Sequence, residues 1–210
     1  MPFVIFMNNN VSFQSRIKFV NKDAFINTVS GKRINHIMRP IAFADEFYTN
    51  CIRSCTAGGI ISPNQEAYAF HIFDGKLTHE SICSRFSRDI ELFDNPPERA
   101  LLIGGKGHHT HPYSLKNFKL ILKSIKEKVK NISYFEQHTD AFAQSSLHYN
   151  LKNDTYTILT QFFKDGKEEY VQSLDDLLKN FKKIKIAKGD ELFLGETKIT
   201  HEEYPKIFEK

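Results

Sequence analysis

Two side chains in this sequence have the chemistry of an acyl-transfer site at a spacing that a strand hairpin can close: Cys55, and His71 sixteen residues later. A thiolate attacks carbonyl carbon, and an imidazole beside it draws the proton off sulfur and later hands it to a leaving amine. Such a pair hydrolyses acyl groups without a metal. Ala57-Gly58-Gly59 leave the backbone next to Cys55 unshielded, so main-chain amides there, that of Cys55 first, are expected to face a developing oxyanion. The alternative for Cys55 is that of a buried structural cysteine.

The surrounding pattern shows how the two would meet. Ile60-Ile61 leads into a turn at Ser62-Pro63-Asn64-Gln65, where proline presets the bend and asparagine tolerates a positive φ. Glu66 to Phe73 then returns beside the segment that starts at Cys55. Alternation along that strand puts Tyr68, Phe70 and Ile72 on one face and Ala69, His71 and Phe73 on the other, with the imidazole over small Ala69. Asp74-Gly75 closes the strand.

Elsewhere, strands are expected at Phe3–Met7, Arg16–Val20, Arg99–Ile103, Ile132–Glu136, Ser145–Asn150, Thr155–Phe163 and Glu168–Gln172, with a last one at Lys183–Ala187. Helical turns fit Asp23–Val29, Ser87–Phe93 and the stretch from Ser173 to Phe181. The clearest helix follows Ser114, its expected N-cap, because Leu115, Phe118, Leu122, Ile125 and Val129 recur at three- and four-residue spacing. Its lysines form a solvated face. The pattern predicts an α+β fold, with a mixed β-sheet or β-sandwich core and peripheral helices. One domain spans residues 1–210, with a core over 1–188 and a small appendage over 189–210.

Composition narrows the function classes. The 210 residues are 40% hydrophobic and 13% aromatic, enough to close a core. The 29 basic and 25 acidic residues leave +4, far from the dense basic stripe of a nucleic-acid binder. No apolar run reaches the roughly 18 residues of a membrane-spanning helix, and the opening Met1–Met7 lacks the basic flank of a signal peptide. Three cysteines form no even set, so free thiols are expected.

Thr49-Asn50-Cys51-Ile52-Arg53-Ser54-Cys55, preceded by Phe47-Tyr48 and followed by His71 on an aromatic-flanked strand, resembles the active-site segment of the Cys/His glutamine deamidase superfamily. That group includes the chemoreceptor deamidase CheD, the catalytic domain of the cytotoxic necrotizing factors and Burkholderia lethal factor. The match is nearest to the lethal factor, in which a threonine stands six residues before the cysteine, as Thr49 stands before Cys55. The succession Ala100 to Lys106, then a helix, then a strand is similar to the order in CheD.

The resemblance implies Cys55 as nucleophile, His71 as general base and then acid, and Thr49 as the group that orients the imidazole. It implies conversion of a glutamine side chain of a target protein to glutamate, with no cofactor. The partner is then a protein bearing a reactive glutamine, a host GTPase or translation factor or else a chemoreceptor, met by a monomer that binds neither nucleic acid nor membrane. The implied setting is a bacterial toxin or effector secreted into a host cytosol, the alternative being the bacterial cytoplasm. Arg53 departs from the family's small-residue turn, and would narrow the approach to Cys55 or select an acidic substrate. A non-catalytic binding module on the same fold, or a protease or acyltransferase, is the competing function.

Cys51 competes with Cys55 by proximity, but only Cys55 has the right distance from Thr49, and Cys51 is expected to be buried. Cys83 is expected in the core. His108, His109 and His111 contain an H-x-H pair that lacks further ligands at zinc-site spacing, which favours a polar loop and no metal site. His138 with Asp140 reads as a strand end entering a loop.

Overall fold

A computed structural model describes residues 14–32, 34–37, 42–63, 66–76, 78–106, 110–138 and 143–209. The strand expected at Phe3–Met7 lies outside them. The first strands are β1 (Arg16–Phe19), β2 (Asn35–His36), β3 (Ala42–Phe43), β4 (Glu46–Ile52), β5 (Thr56–Ile61), β6 (Ala67–Ile72) and β7 (Arg99–Gly104). Then follow β8 (Asn131–Gln137), β9 (Gln144–Asn150), β10 (Thr155–Lys164), β11 (Lys167–Tyr170), β12 (Phe181–Lys185), β13 (Glu191–Leu194) and β14 (Thr197–Ile199). The helices are α1 (Lys22–Val29), α2 (His79–Ile90), α3 (Ser114–Lys126) and α4 (Leu174–Asn180).

The architecture is α+β, built on two mixed sheets. The larger has eight strands among the described residues, in the order β14-β13-β1-β10-β9-β4-β2 with β11 beside β10; the smaller has six, β12-β8-β7-β5-β6-β3. They face each other across one core. Phe47, Leu147, Tyr149, Tyr156 and Ile158 from the larger sheet meet Ala57, Ala69, Leu101, Ile103 and Phe135 from the smaller. The smaller sheet is covered on its other face too, where Ile60, Tyr68, Phe70 and Leu102 pack on Phe86 of α2 and on Phe118, Ile121 and Ile125 of α3. A sheet buried on both faces needs near-continuous apolar strands. That is why Thr56–Ile61 and Arg99–Gly104 are buried from end to end.

β5 is central, paired antiparallel to β6 on one side and β7 on the other. Its glycines serve packing. A Cβ on Gly58 would collide with the Leu101 carbonyl oxygen and lie 2.8 Å from Phe70 Cζ, and one on Gly59 would lie 2.9 Å from the Tyr156 hydroxyl. β7 runs parallel to β8, and α3 makes the crossover a parallel pair requires.

Several local expectations meet the structure differently. The helix expected at Ser87–Phe93 begins two turns earlier: Thr78 caps it, accepting from the Ser81 amide at 3.2 Å. Its apolar stripe is only Ile82, Phe86 and Ile90, spaced by four among polar residues, which left its start hard to read. Ser114 is the first residue of α3 rather than its cap; Tyr113 holds that position without a side-chain capping bond. Residues 189–210, read as an appendage, contribute β13 and β14, and β13 pairs parallel to β1 inside the larger sheet. Asp190 at the head of that segment has a buried side chain, 3.6 Å from Arg99 of the smaller sheet, and accepts from the Ser133 hydroxyl at 2.5 Å. This ties the tail to both layers.

Among the described residues no helix is long and apolar enough to cross a membrane.

Candidate active site

Thr49 lies on β4 in the larger sheet, while His71 is on β6 of the smaller and Cys55 immediately precedes its strand β5, so the chain must change sheets between Thr49 and Thr56. It does so through a bulge. β4 pairs with β9 in register up to Thr49↔Leu147 and resumes at Ile52↔Ser145, so β4 carries one extra residue. Cys51 takes it up with φ of +59°, in the left-handed region that non-glycine residues seldom enter. The Arg53 amide then donates to the Cys51 carbonyl at 2.8 Å, a tight turn that delivers Cys55 to the head of β5.

The bulge corrects the expectation of a buried Cys51. Simple alternation from the inward Phe47 and Thr49 would turn residue 51 inward, but the extra residue passes that role to Ile52, which is fully buried, and leaves Cys51 exposed. Cys83, expected in the core, is half-buried on α2, with Sγ 3.1 Å from the Ser124 hydroxyl on α3.

His71 stands on the sandwich face of β6, directly opposite Ala57 on β5. Cys55 stands in the bend one residue before β5 and two residues before Ala57, so alternation continued past the strand end would put it on the face of His71, one diagonal step away, at roughly 7–8 Å between backbones. Cys55 is 7% exposed and His71 fully buried. The ring of Phe73, itself 49% exposed, lies 4.8 Å from that of His71 and covers its outer side.

The hydrogen bonds of Thr49 settle the tautomer. Its hydroxyl lies 2.6 Å from the Ile37 carbonyl oxygen and 2.5 Å from His71 Nδ1. A hydroxyl has one proton, and a carbonyl can only accept, so that proton goes to Ile37. Thr49 therefore accepts from His71 Nδ1–H, and the lone pair of the neutral ring stands on Nε2. Nε2 is buried and has no hydrogen-bond partner among the described residues. Burial, reinforced by the charge of nearby His36, pushes the His71 pKa down to about 4, so at physiological pH the ring is neutral, with its lone pair free, and a weaker base than an ordinary imidazole.

The Cys55 thiol is pushed up by burial, against which the Asp74 backbone and the Ser54 side chain favour the thiolate. The Asp74 carboxylate and Cys51 act in the other direction. The resting pair is thus neutral thiol and neutral imidazole, and Sγ is not hydrogen-bonded to Nε2. A base that takes the proton as the carbon–sulfur bond forms fits this state better than a standing ion pair.

The oxyanion expectation needs correction beyond the Cys55 amide. The amides of Ala57, Gly58 and Gly59 are spent in the ladders to β6 and β7. The backbone that favours a thiolate at Cys55 is that of Asp74. Asp74 was legible only as the end of β6. Its carboxylate reaches His111 Nδ1 at 3.3 Å, which brings His111 next to the site as a partner of Asp74. His108, His109 and Asp140 lie outside the described residues. Among the described residues no group of three or more His, Cys, Asp and Glu side chains comes together as a metal site. Arg53 is exposed on the turn.

No protein-family model and no curated protein sequence matches this chain.

Proposed function

We propose that this chain is a protein glutamine deamidase whose working residues are Cys55, His71 and Thr49. One observation carries the reading: the Thr49 hydroxyl, its proton committed to Ile37, holds His71 as the Nδ1–H tautomer and leaves an Nε2 lone pair with no partner among the described residues, two strand positions from the bend that carries Cys55. A buried imidazole held in one tautomer with its second nitrogen unused is costly as architecture and apt as a base.

In this reaction Nε2 removes the thiol proton of Cys55 while sulfur bonds to the side-chain carbonyl carbon of the substrate glutamine. The main-chain donor for the oxyanion is the amide of Cys55 or that of Asp74, whose backbone favours the Cys55 thiolate. Collapse breaks the carbon–nitrogen bond, and the Nε2 proton leaves with ammonia. Water, deprotonated by the same nitrogen, then splits the thioester, giving glutamate and the free thiol. No step needs a cofactor. The resemblance of the Thr49–Cys55 segment to bacterial deamidase toxins supports an effector secreted into a host cytosol, acting on a GTPase or translation factor; a chemoreceptor deamidase in the bacterial cytoplasm is the other setting.

A second reading, a binding module that retains the fold without catalysis, draws on a different observation: Cys55 has a raised pKa and no hydrogen bond to His71. One experiment decides between the two. Host and bacterial proteins are incubated with the wild type or with Cys55→Ser and analysed by peptide mass spectrometry. Deamidation raises the mass of one glutamine by about one unit, absent with the variant and with the backbone intact. Backbone cleavage would instead show a protease. No modification by folded wild-type protein leaves the binding module.

A further inference from the structure

A pocket of about 340 Å³ opens beside the turn that delivers the nucleophile, lined by Arg53, Lys22, Gln144, Gln161, Phe163 and Glu168. Its walls come from the sheet-changing turn, α1, β9, β10 and β11. Gln144 links it to the bulge, with Nε2 3.8 Å from Cys51 Sγ. Arg53 is two residues from Cys55.

The charges in this pocket do not cancel. Glu168 accepts from the Tyr170 hydroxyl at 2.8 Å and from Gln161 Nε2, and lies 3.9 Å from Lys22 Nζ. These neighbours, all on Oε1, hold its carboxyl below the usual range, the Tyr170 and Gln161 hydrogen bonds most. Lys22 is thereby balanced, whereas Arg53 has no carboxylate partner among the described residues and is exposed. A guanidinium presents a planar fork of N–H donors that a carboxylate fills with two bonds. Beside it Phe163 is 66% exposed, an apolar ring in an otherwise polar pocket. Arginine and exposed aromatic side chains are the residue types that dominate protein-docking energetics. A single unbalanced cation is much less than the basic stripe a nucleic acid requires.

We propose that this pocket docks the protein substrate, taking a segment in which an acidic side chain pairs with Arg53 and a neighbouring apolar side chain packs on Phe163. The assignment rests on the deamidase reading of Cys55 and adds the substrate class: a glutamine flanked by an acidic and an apolar residue.

The test measures binding apart from turnover. Cys55→Ser protein is titrated into fluorescein-labelled 12-residue peptides with one central glutamine, flanked by Glu and Leu or by Lys and Leu, and anisotropy is read. The acidic peptide is expected to bind about fivefold more tightly at low salt, and 0.5 M NaCl should remove the difference. Adding Arg53→Glu should erase or invert the preference, and adding Phe163→Ser should weaken both peptides. Should Arg53→Glu fail to fold by circular dichroism, Lys22→Glu, which also adds negative charge to the pocket, replaces it. Equal binding of the two peptides, indifference to the charge reversal, or tighter binding of a 12-nucleotide single-stranded RNA overturns the proposal. Ammonia release by the wild type is assayed on the same peptides. Preference without ammonia removes the deamidase and keeps the docking surface; ammonia without preference does the reverse.

Discussion

The hydroxyl oxygen of Thr49, on β4 of the larger sheet, lies 2.5 Å from Nδ1 of His71, on β6 of the smaller one, and donates its own proton to the Ile37 carbonyl. This relay joins the two layers of the sandwich at the point where the chain passes between them. Both side chains are fully buried, so neither can exchange its partner for water.

Replacing Thr49 separates orientation from bulk. Thr49→Val keeps the shape but leaves the Ile37 carbonyl and the His71 Nδ1–H buried without partners, at a cost of about 1–3 kcal/mol. Glutamine turnover should fall on the order of 10²-fold as the tautomer is released. Thr49→Ser restores the hydroxyl and should recover most of both. Urea unfolding and ammonia release on the three proteins check this; a valine variant as active as the wild type would remove Thr49 from the mechanism.

Acid should destabilise the fold through His71. Its pKa is about 4 in the folded protein against 6.5 for the ordinary side chain, so between those values the unfolded chain binds the additional proton. The stability that neutral His71 contributes is fully present above pH 6.5 and lost as pH falls towards 4, up to roughly 3 kcal/mol. His71→Gln lacks this component, so the stability gap between variant and wild type should change across that window and be level above it. The acid limb of kcat/KM should likewise lie near 4 rather than near 6.5.

Thiol labelling should run against the order usual for a catalytic cysteine. Cys51 is exposed, whereas Cys55 is buried and its pKa is raised, so iodoacetamide should modify Cys51 first at pH 7.5. Asp74→Asn removes a negative charge that opposes the Cys55 thiolate and keeps the backbone donor. Cys55 labelling should then quicken by about two- to threefold. Peptide mapping of partial alkylation reads both, and an unchanged Cys55 rate in the variant would show that the carboxylate does not act on the sulfur.

Gly58 should be intolerant of any side chain. Gly58→Ala drives its methyl into the Leu101 carbonyl and the Phe70 ring within a strand paired on both sides, costing about 3 kcal/mol or more. Gly75→Ala, where an added Cβ meets nothing within 4 Å, is the control and should stay within about 0.5 kcal/mol. Thermal unfolding of the pair measures the difference.

Local patterns carried the hairpin of β5 and β6, the face on which His71 stands, most of the later strands and the amphipathic α3. These follow from periodicity and turn chemistry, which act over a few residues. Cys55 and His71 were candidates on the same ground. Thr49 entered only by resemblance, since nothing in its neighbourhood says that β4 belongs to the opposite sheet. The exposure of Cys51 depends on one extra residue against β9, nearly a hundred positions away, and no local signal marks such a bulge. The commitment of the glycine amides to sheet ladders and the entry of β13 beside β1 are likewise pairings between distant segments. Alternation along a strand is written in consecutive side chains; the choice of neighbouring strand and facing sheet is made by the burial of the whole core, and only the folded chain contains it.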